Sequence, residues 1–132
     1  ATASGIEFPG VGELVGYTLN DAPFSQENTP EVALVWQAAA QTPGVRYTAT
    51  VQLVDSVGQV IAQSDAVPGG RETTGWRAGE YILDRHVLAF NERASAGTAR
   101  LIVALYDAQT GARVRLADGA DAAELQAGLA VQ

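Results

Sequence analysis

The chain has 132 residues, of which 47% are hydrophobic and 17% are charged, so we predict one globular domain spanning residues 1–132. Eight basic residues, all of them Arg, stand against fifteen acidic ones, and the net charge of −7 disfavours nucleic acid and anionic membrane surfaces as partners. Cysteine is absent, which excludes disulfides and thiolate metal sites, and no apolar run approaches the roughly 20 residues that cross a bilayer as a helix.

Glycine and proline divide the chain into short segments in which apolar and polar residues alternate, the pattern typical of strands. In the second of these segments Val15, Tyr17 and Leu19 share one face. In the sixth, Tyr81, Leu83 and Val87 share one face. We predict strands at residues 6–8, 13–19, 31–38, 46–54, 59–64, 80–88, 100–107, 112–116 and 125–131.

Two of these segments also suit a helix. Residues 31–38 follow a Thr-Pro pair that could cap and start one, although the β-branched residues and Trp36 favour a strand. Near the C-terminus Asp121 and Glu124 have the spacing of a capping box, whereas Gly128 and the alternation of residues 125–131 favour a strand.

Eight or nine short strands without a predicted helix indicate an all-β fold. Because alternating strands bury one face each, two sheets must stack. We therefore predict an antiparallel two-sheet β-sandwich of immunoglobulin-like or jelly-roll topology. Residues 65–80 lack alternation and are predicted to form one long crossing loop.

Between residues 32 and 131 the chain contains a series of short motifs whose order and spacing are informative. They are the segment 47–55, Gly58, the segments 62–65 and 68–70, Thr73, Trp76, Gly79, Glu80, Asp84, His86, Gly97, the segment 104–107, Thr110, Gly111 and Arg113. This order resembles a β-sandwich domain at the C-terminal end of bacterial multi-spanning membrane proteins, which are glycosyltransferase-like or uncharacterised. One departure is Ala96-Gly97-Thr98-Ala99, where family members often have Pro-Gly-x-Tyr.

The resemblance implies an extracytoplasmic accessory module, secreted or in the cell envelope, that is tethered to a membrane part in the full-length protein. It implies no catalytic residue and no cofactor. On this basis we predict that the chain is not an enzyme and that its partner is a protein or a glycan.

The loop at residues 65–80 is the predicted binding segment, with Trp76, Arg77, Glu80, Arg71 and Thr73 as candidate ligand-binding residues. An exposed Trp among polar groups would suit a carbohydrate ring. A Trp that plugs the open end of the sandwich would look the same in sequence, and the arginines could simply pair with neighbouring acids. Carbohydrate binding through this loop, with or without a structural calcium, is therefore the alternative function.

Two further features could carry chemistry. His86, the only His, shares a strand face with Asp84 and could join a Ser or Thr in a nucleophilic triad, although no G-x-S-x-G or H-E-x-x-H motif is present. A half-buried, hydrogen-bonded His on the sheet is the other interpretation. Aspartates at strand ends could hold calcium or cap their own turns, namely Asp55, Asp65, Asp107, Asp118 and Asp121.

Overall fold

The computed structural model describes residues 2–132, which form nine strands in two antiparallel sheets. The strands are β1 (Thr2–Phe8), β2 (Gly12–Leu19), β3 (Glu31–Ala38), β4 (Tyr47–Asp55), β5 (Val60–Ala66), β6 (Tyr81–Val87), β7 (Ala89–Phe90), β8 (Gly97–Asp107) and β9 (Ala123–Val131). One sheet has the order β1-β2-β3-β6 and the other β7-β5-β4-β8-β9. The predicted all-β, antiparallel two-sheet sandwich is confirmed. No helix within the described residues is long and apolar enough to cross a membrane.

The core lies between the two sheets, because each contributes its inward side chains to one layer. Phe8 and Trp36 meet there edge to face, with ring centroids 5.1 Å apart. The fully buried large apolar side chains include Leu14, Phe24, Leu34, Leu53, Ile61, Trp76, Leu88, Leu101 and Leu105. Burying these residues is the dominant favourable contribution to folding.

The strand predictions hold at both segments for which a helix was an alternative, since residues 31–38 form β3 and the C-terminal segment lies in β9. Strand β5 extends to Ala66, so the long loop begins at Val67 and contains two short 3-10 turns at Pro68–Gly70 and Thr73–Gly75. The prediction of a strand at 112–116 was wrong. That segment makes only an isolated bridge between Arg113 and Tyr106.

A bulge in β2 changes which of its residues face the core. Leu14 lies opposite Trp36 and Gly16 lies opposite Val35, so Val15 is the extra, unpaired residue. As a result Leu14 and Tyr17 are buried and Val15 is only half-buried. The expectation that Val15 shares one face with Tyr17 was wrong, because one inserted residue shifts the period-two pattern.

Strand β6 turns Asp84 and His86 inward and most of its apolar side chains outward. Ile82, Asp84 and His86 are buried, whereas Tyr81, Leu83 and Val87 are exposed by 65%, 51% and 62%. The expectation that alternation places the apolar face of a strand against the core fails here. This inversion is the main difference between the sequence pattern and the fold.

Candidate functional site

The predicted binding loop directs its two least polar candidates into the protein. Trp76 is 1% exposed, and its Nε1–H donates to the carbonyl of Arg71 over 3.3 Å. Thr73 is fully buried; its hydroxyl donates to the Val45 carbonyl at 2.7 Å and accepts the Tyr47 N–H at 3.0 Å. Trp76 therefore plugs the sandwich, as one of the two interpretations held, and its ring is not exposed as the other interpretation required.

The charged candidates of the loop meet on the surface. The Arg71 guanidinium pairs with Glu80 Oε1, which also accepts the backbone N–H of Arg77. The Arg71 hydrogen bond and then the Arg77 N–H hold the pKa of Glu80 below its ordinary value, although desolvation acts in the opposite direction. An exposed ion pair of this kind stabilises a fold only slightly. The structure thus brings the charged groups of Arg71 and Glu80 and the backbone of Arg77 together on the surface, whereas the side chains of Thr73 and Trp76 are buried.

A hydrogen-bonded chain of Ser64, His86 and Asp84 links the two sheets. Ser64 Oγ on β5 lies 2.8 Å from His86 Nδ1, and His86 Nε2 lies 3.0 Å from Asp84 Oδ2 on the same strand β6. Asp84 also accepts the indole N–H of Trp36 at 3.1 Å and the backbone N–H of Gly69 at 3.0 Å. Since the carboxylate takes Nε2–H, we assign Nδ1 as the acceptor for the Ser64 hydroxyl.

The hydrogen-bonded residues Ser64, His86 and Asp84 link the two sheets from inside the protein, and we call them the internal clasp. Asp84 and His86 are each 2% exposed, and every buried side-chain nitrogen and oxygen among residues 2–132 has a hydrogen-bond partner. The ring is reversed relative to a serine-protease triad, in which the carboxylate bonds Nδ1 and the serine bonds Nε2. Two open depressions lie nearby. One is lined by His86 and the other by Asp84, and Ser64 lines neither of them.

Ser64 is the member of this chain that the sequence analysis missed. It belongs to the predicted strand at 59–64, where it shares a face with Ala62, so its inward direction was available from alternation. Alternation does not reveal its partner His86, because the approach of β5 to β6, which lie in different sheets, depends on the topology.

Most of the turn aspartates cap their own turns. Asp55 accepts the N–H groups of Val57 and Gln59, and Asp118 accepts the N–H of Ala120. Asp107 accepts N–H groups from Gln109 and Thr110, which, with Gln109 foremost, hold its pKa below the ordinary value. Within residues 2–132, no three His, Asp or Glu side chains are grouped to hold a metal ion.

Strand β6 is an edge strand that is neither short nor bulged. The edge strand β1 is interrupted by a bulge between Ala3 and Ile6, β9 has two register shifts, and β7 is only two residues long. The seven residues of β6 pair with β3 in one unbroken register, without Pro or Gly. Bulges and short strands prevent edges from pairing with another chain, and β6 has neither.

The backbone groups of alternate β6 residues point away from the sheet. Ala38 N–H bonds the Glu80 carbonyl, and Leu88 N–H bonds the Pro30 carbonyl, in continuation of the β3–β6 register. Hydrogen-bonded pairs alternate in an antiparallel ladder, so Ile82, Asp84 and His86 bond β3. The groups of the exposed residues then face outward, and no backbone partner is found for them among the described residues.

Arg85 lies in the middle of the exposed apolar row. It is exposed between Leu83 and Val87, and no acidic side chain of residues 2–132 lies within ion-pair distance of it. One open depression beside it is lined by Ala33, Glu31 and Thr18 on the sheet face, among others. A second lies at the free edge, between β6 and the loop at 66–70. We call the exposed row Tyr81, Leu83, Arg85 and Val87, with the free backbone beside it, the β6 surface.

The β6 surface, the plugged loop and the internal clasp are thus the chemically distinctive parts of this sandwich, in which His86 is 2% exposed. Comparison with protein-family models, curated proteins and solved structures finds no match to this chain.

Proposed function

We propose that this chain is a non-catalytic interaction module that binds a protein partner through the β6 surface. The inverted pattern of β6 carries this proposal. Three large apolar side chains of one strand are exposed while an Asp and a His of the same strand are buried. Single exposed apolar residues are ordinary, but three of them grouped along one face of an edge strand favour an interaction site.

The resemblance of residues 32–131 supports a setting for this role. We propose an accessory module of a bacterial cell-envelope protein, on the extracytoplasmic side and tethered to a membrane part of a longer protein. The net charge of −7 weighs against a nucleic-acid partner. The proposed surface lies outside the loop at 65–80, which was the first candidate for the contact.

Carbohydrate binding has less support than a protein partner. With Trp76 and Thr73 buried, the loop offers a sugar only the surface group of Arg71, Arg77 and Glu80. No stacking ring accompanies them in the loop, since Trp76 is its only aromatic residue. The β6 surface, by contrast, combines apolar area, one cation and free backbone groups, which suits a polypeptide.

Site-specific photocrosslinking in cells that make the full-length protein tests this function. A photoreactive amino acid at Leu83 is expected to give a discrete crosslinked protein. The matched control is Val57, which is 77% exposed in the turn between β4 and β5 and far along the chain from β6. Equal crosslinking at both positions, or none at Leu83, would refute the proposal.

A further inference from the structure

We infer that the partner contributes an extended segment that adds to the first sheet as a strand along β6, with an acidic side chain opposite Arg85. The inference rests on the proposed function, because it specifies how the β6 surface is used. The partner is thus defined by its extended backbone and by a negative charge opposite Arg85.

The backbone supports strand addition over a defined length. The outward N–H and C=O groups of Arg85 and Val87 are free, whereas the carbonyl of Leu83 is approached by Gly69, at which an added Cβ would lie only 3.0 Å away. An incoming strand can therefore pair with Arg85 and Val87 and end opposite Leu83, beside the loop at 66–70. Main-chain hydrogen bonds of this kind supply affinity in strand addition, and side-chain pockets supply specificity.

The side chains support a partner that is apolar on both sides of an acid. Residues of an added strand lie about 4.5–5.5 Å, Cβ to Cβ, from those directly opposite. Apolar side chains of the partner would then cover Leu83 and Val87, and a carboxylate opposite Arg85 would meet a cation that has no ion-pair partner among the described residues. Desolvation of the surrounding apolar row would strengthen that pair.

A second copy of this chain fits the surface poorly. Two β6 edges that pair with each other can place only Tyr81, Leu83, Arg85 or Val87 opposite Arg85, because only these residues turn their backbone outward. None of them is acidic. Each copy also carries a net charge of −7, which opposes self-association.

Synthetic pentapeptides, whose alternate residues can lie opposite Leu83, Arg85 and Val87, provide the probe. In each peptide, the side chains that share a face with Leu83, Arg85 and Val87 are a central glutamate or lysine with valine on either side. Threonine occupies the positions between them. We expect the glutamate peptide to bind at least about tenfold more tightly than the lysine peptide in an NMR titration, because of the charge at Arg85. The variant Arg85→Glu is expected to reverse this order, and Arg115→Glu, at an exposed arginine outside the surface, is expected to leave it unchanged.

Backbone methylation of the peptide tests the mode of binding. Methyl groups on the amides that face β6 are expected to weaken binding at least about tenfold, and methyl groups on the alternate amides are not. Equal effects of both patterns would overturn strand addition, while crosslinking at Leu83 would still support the proposed function. Binding of the glutamate peptide weaker than about 1 mM, or no reversal in Arg85→Glu, would also overturn the inference. Concentration-dependent dimers lost in Leu83→Ser would show that the occupant is a second copy.

Discussion

The substitution Asp84→Ala is the most direct test of the internal clasp. It removes the acceptor for three donors, the Trp36 indole, the His86 ring and the Gly69 backbone, at 3.0–3.1 Å. Each buried donor left without a partner costs roughly 1–3 kcal/mol. Removing the buried carboxylate also relieves its own desolvation, which offsets part of that cost. We expect a net loss of about 3–5 kcal/mol in the free energy of unfolding.

Asp65→Ala is the matched control. Asp65 likewise accepts three hydrogen bonds, in its case all from side chains, namely Thr50, Gln63 and Tyr106 at 2.7–3.2 Å. It differs from Asp84 because it lies exposed on the outer face of the second sheet. Water can replace the lost acceptor there, so we expect a loss of only about 1 kcal/mol. The two variants remove the same side chain with the same number of donors and differ in burial.

Urea unfolding, followed by tryptophan fluorescence and by circular dichroism, measures the difference. The Asp84→Ala midpoint is expected to fall far below that of Asp65→Ala, with a drop in Tm of roughly 10–20 °C. If Asp84→Ala does not fold, Asp84→Asn preserves the shape of the side chain and should lose less, in the same direction. Equal losses for the two alanine variants would refute the claim that burial of the clasp determines its contribution.

Four further outcomes are expected. Trp76→Ala should lower the free energy of unfolding by about 3–5 kcal/mol in denaturant titrations, and an unchanged midpoint would contradict its role as a plug. Gly69→Ala should destabilise more than Gly70→Ala in the same assay, because both residues have positive φ but only at Gly69 would a Cβ lie 2.6 Å from Ile82; equal losses would count against the close approach. Ser64 should not react with a fluorophosphonate, as judged by mass spectrometry, and labelling that disappears in His86→Asn would show a working triad. Because the folded pKa of Asp107 lies below its ordinary 3.8, its stabilising effect should be complete above that pH and be lost as pH falls below it, so acid unfolding of Asp107→Asn should depend less on pH.

Period-two alternation predicted the fold class well because a sandwich buries one face of most strands. Strand β3 shows this clearly, with Val32, Leu34 and Trp36 buried as their spacing indicates. The turn at Asp55–Gly58 was also predictable, since Asp caps its own turn and Gly58 has a φ of 85°. These features depend on residues close in sequence.

The remaining differences depend on contacts between distant residues. The bulge at Val15 depends on how β2 pairs with β3. The burial of Trp76 depends on where the loop ends against the core, although the alternatives of plug and platform were both visible in the sequence. The Ser64–His86 contact joins strands of different sheets, so it requires the topology as well as the alternation.

The inversion of β6 connects the clasp with the proposed binding surface. Alternation forces the two faces of a strand to be chosen together, so placing Asp84 and His86 inside necessarily places Leu83 and Val87 outside. A one-residue shift of register would bury the apolar row and expose the polar pair. The hydrogen bonds of Asp84 to Trp36 and Gly69 oppose that shift, because they hold β6 both to its neighbour β3 and to the loop beside its edge. The clasp therefore fixes the register in which the β6 surface faces outward, and weakening it should disturb binding at that surface as well as stability.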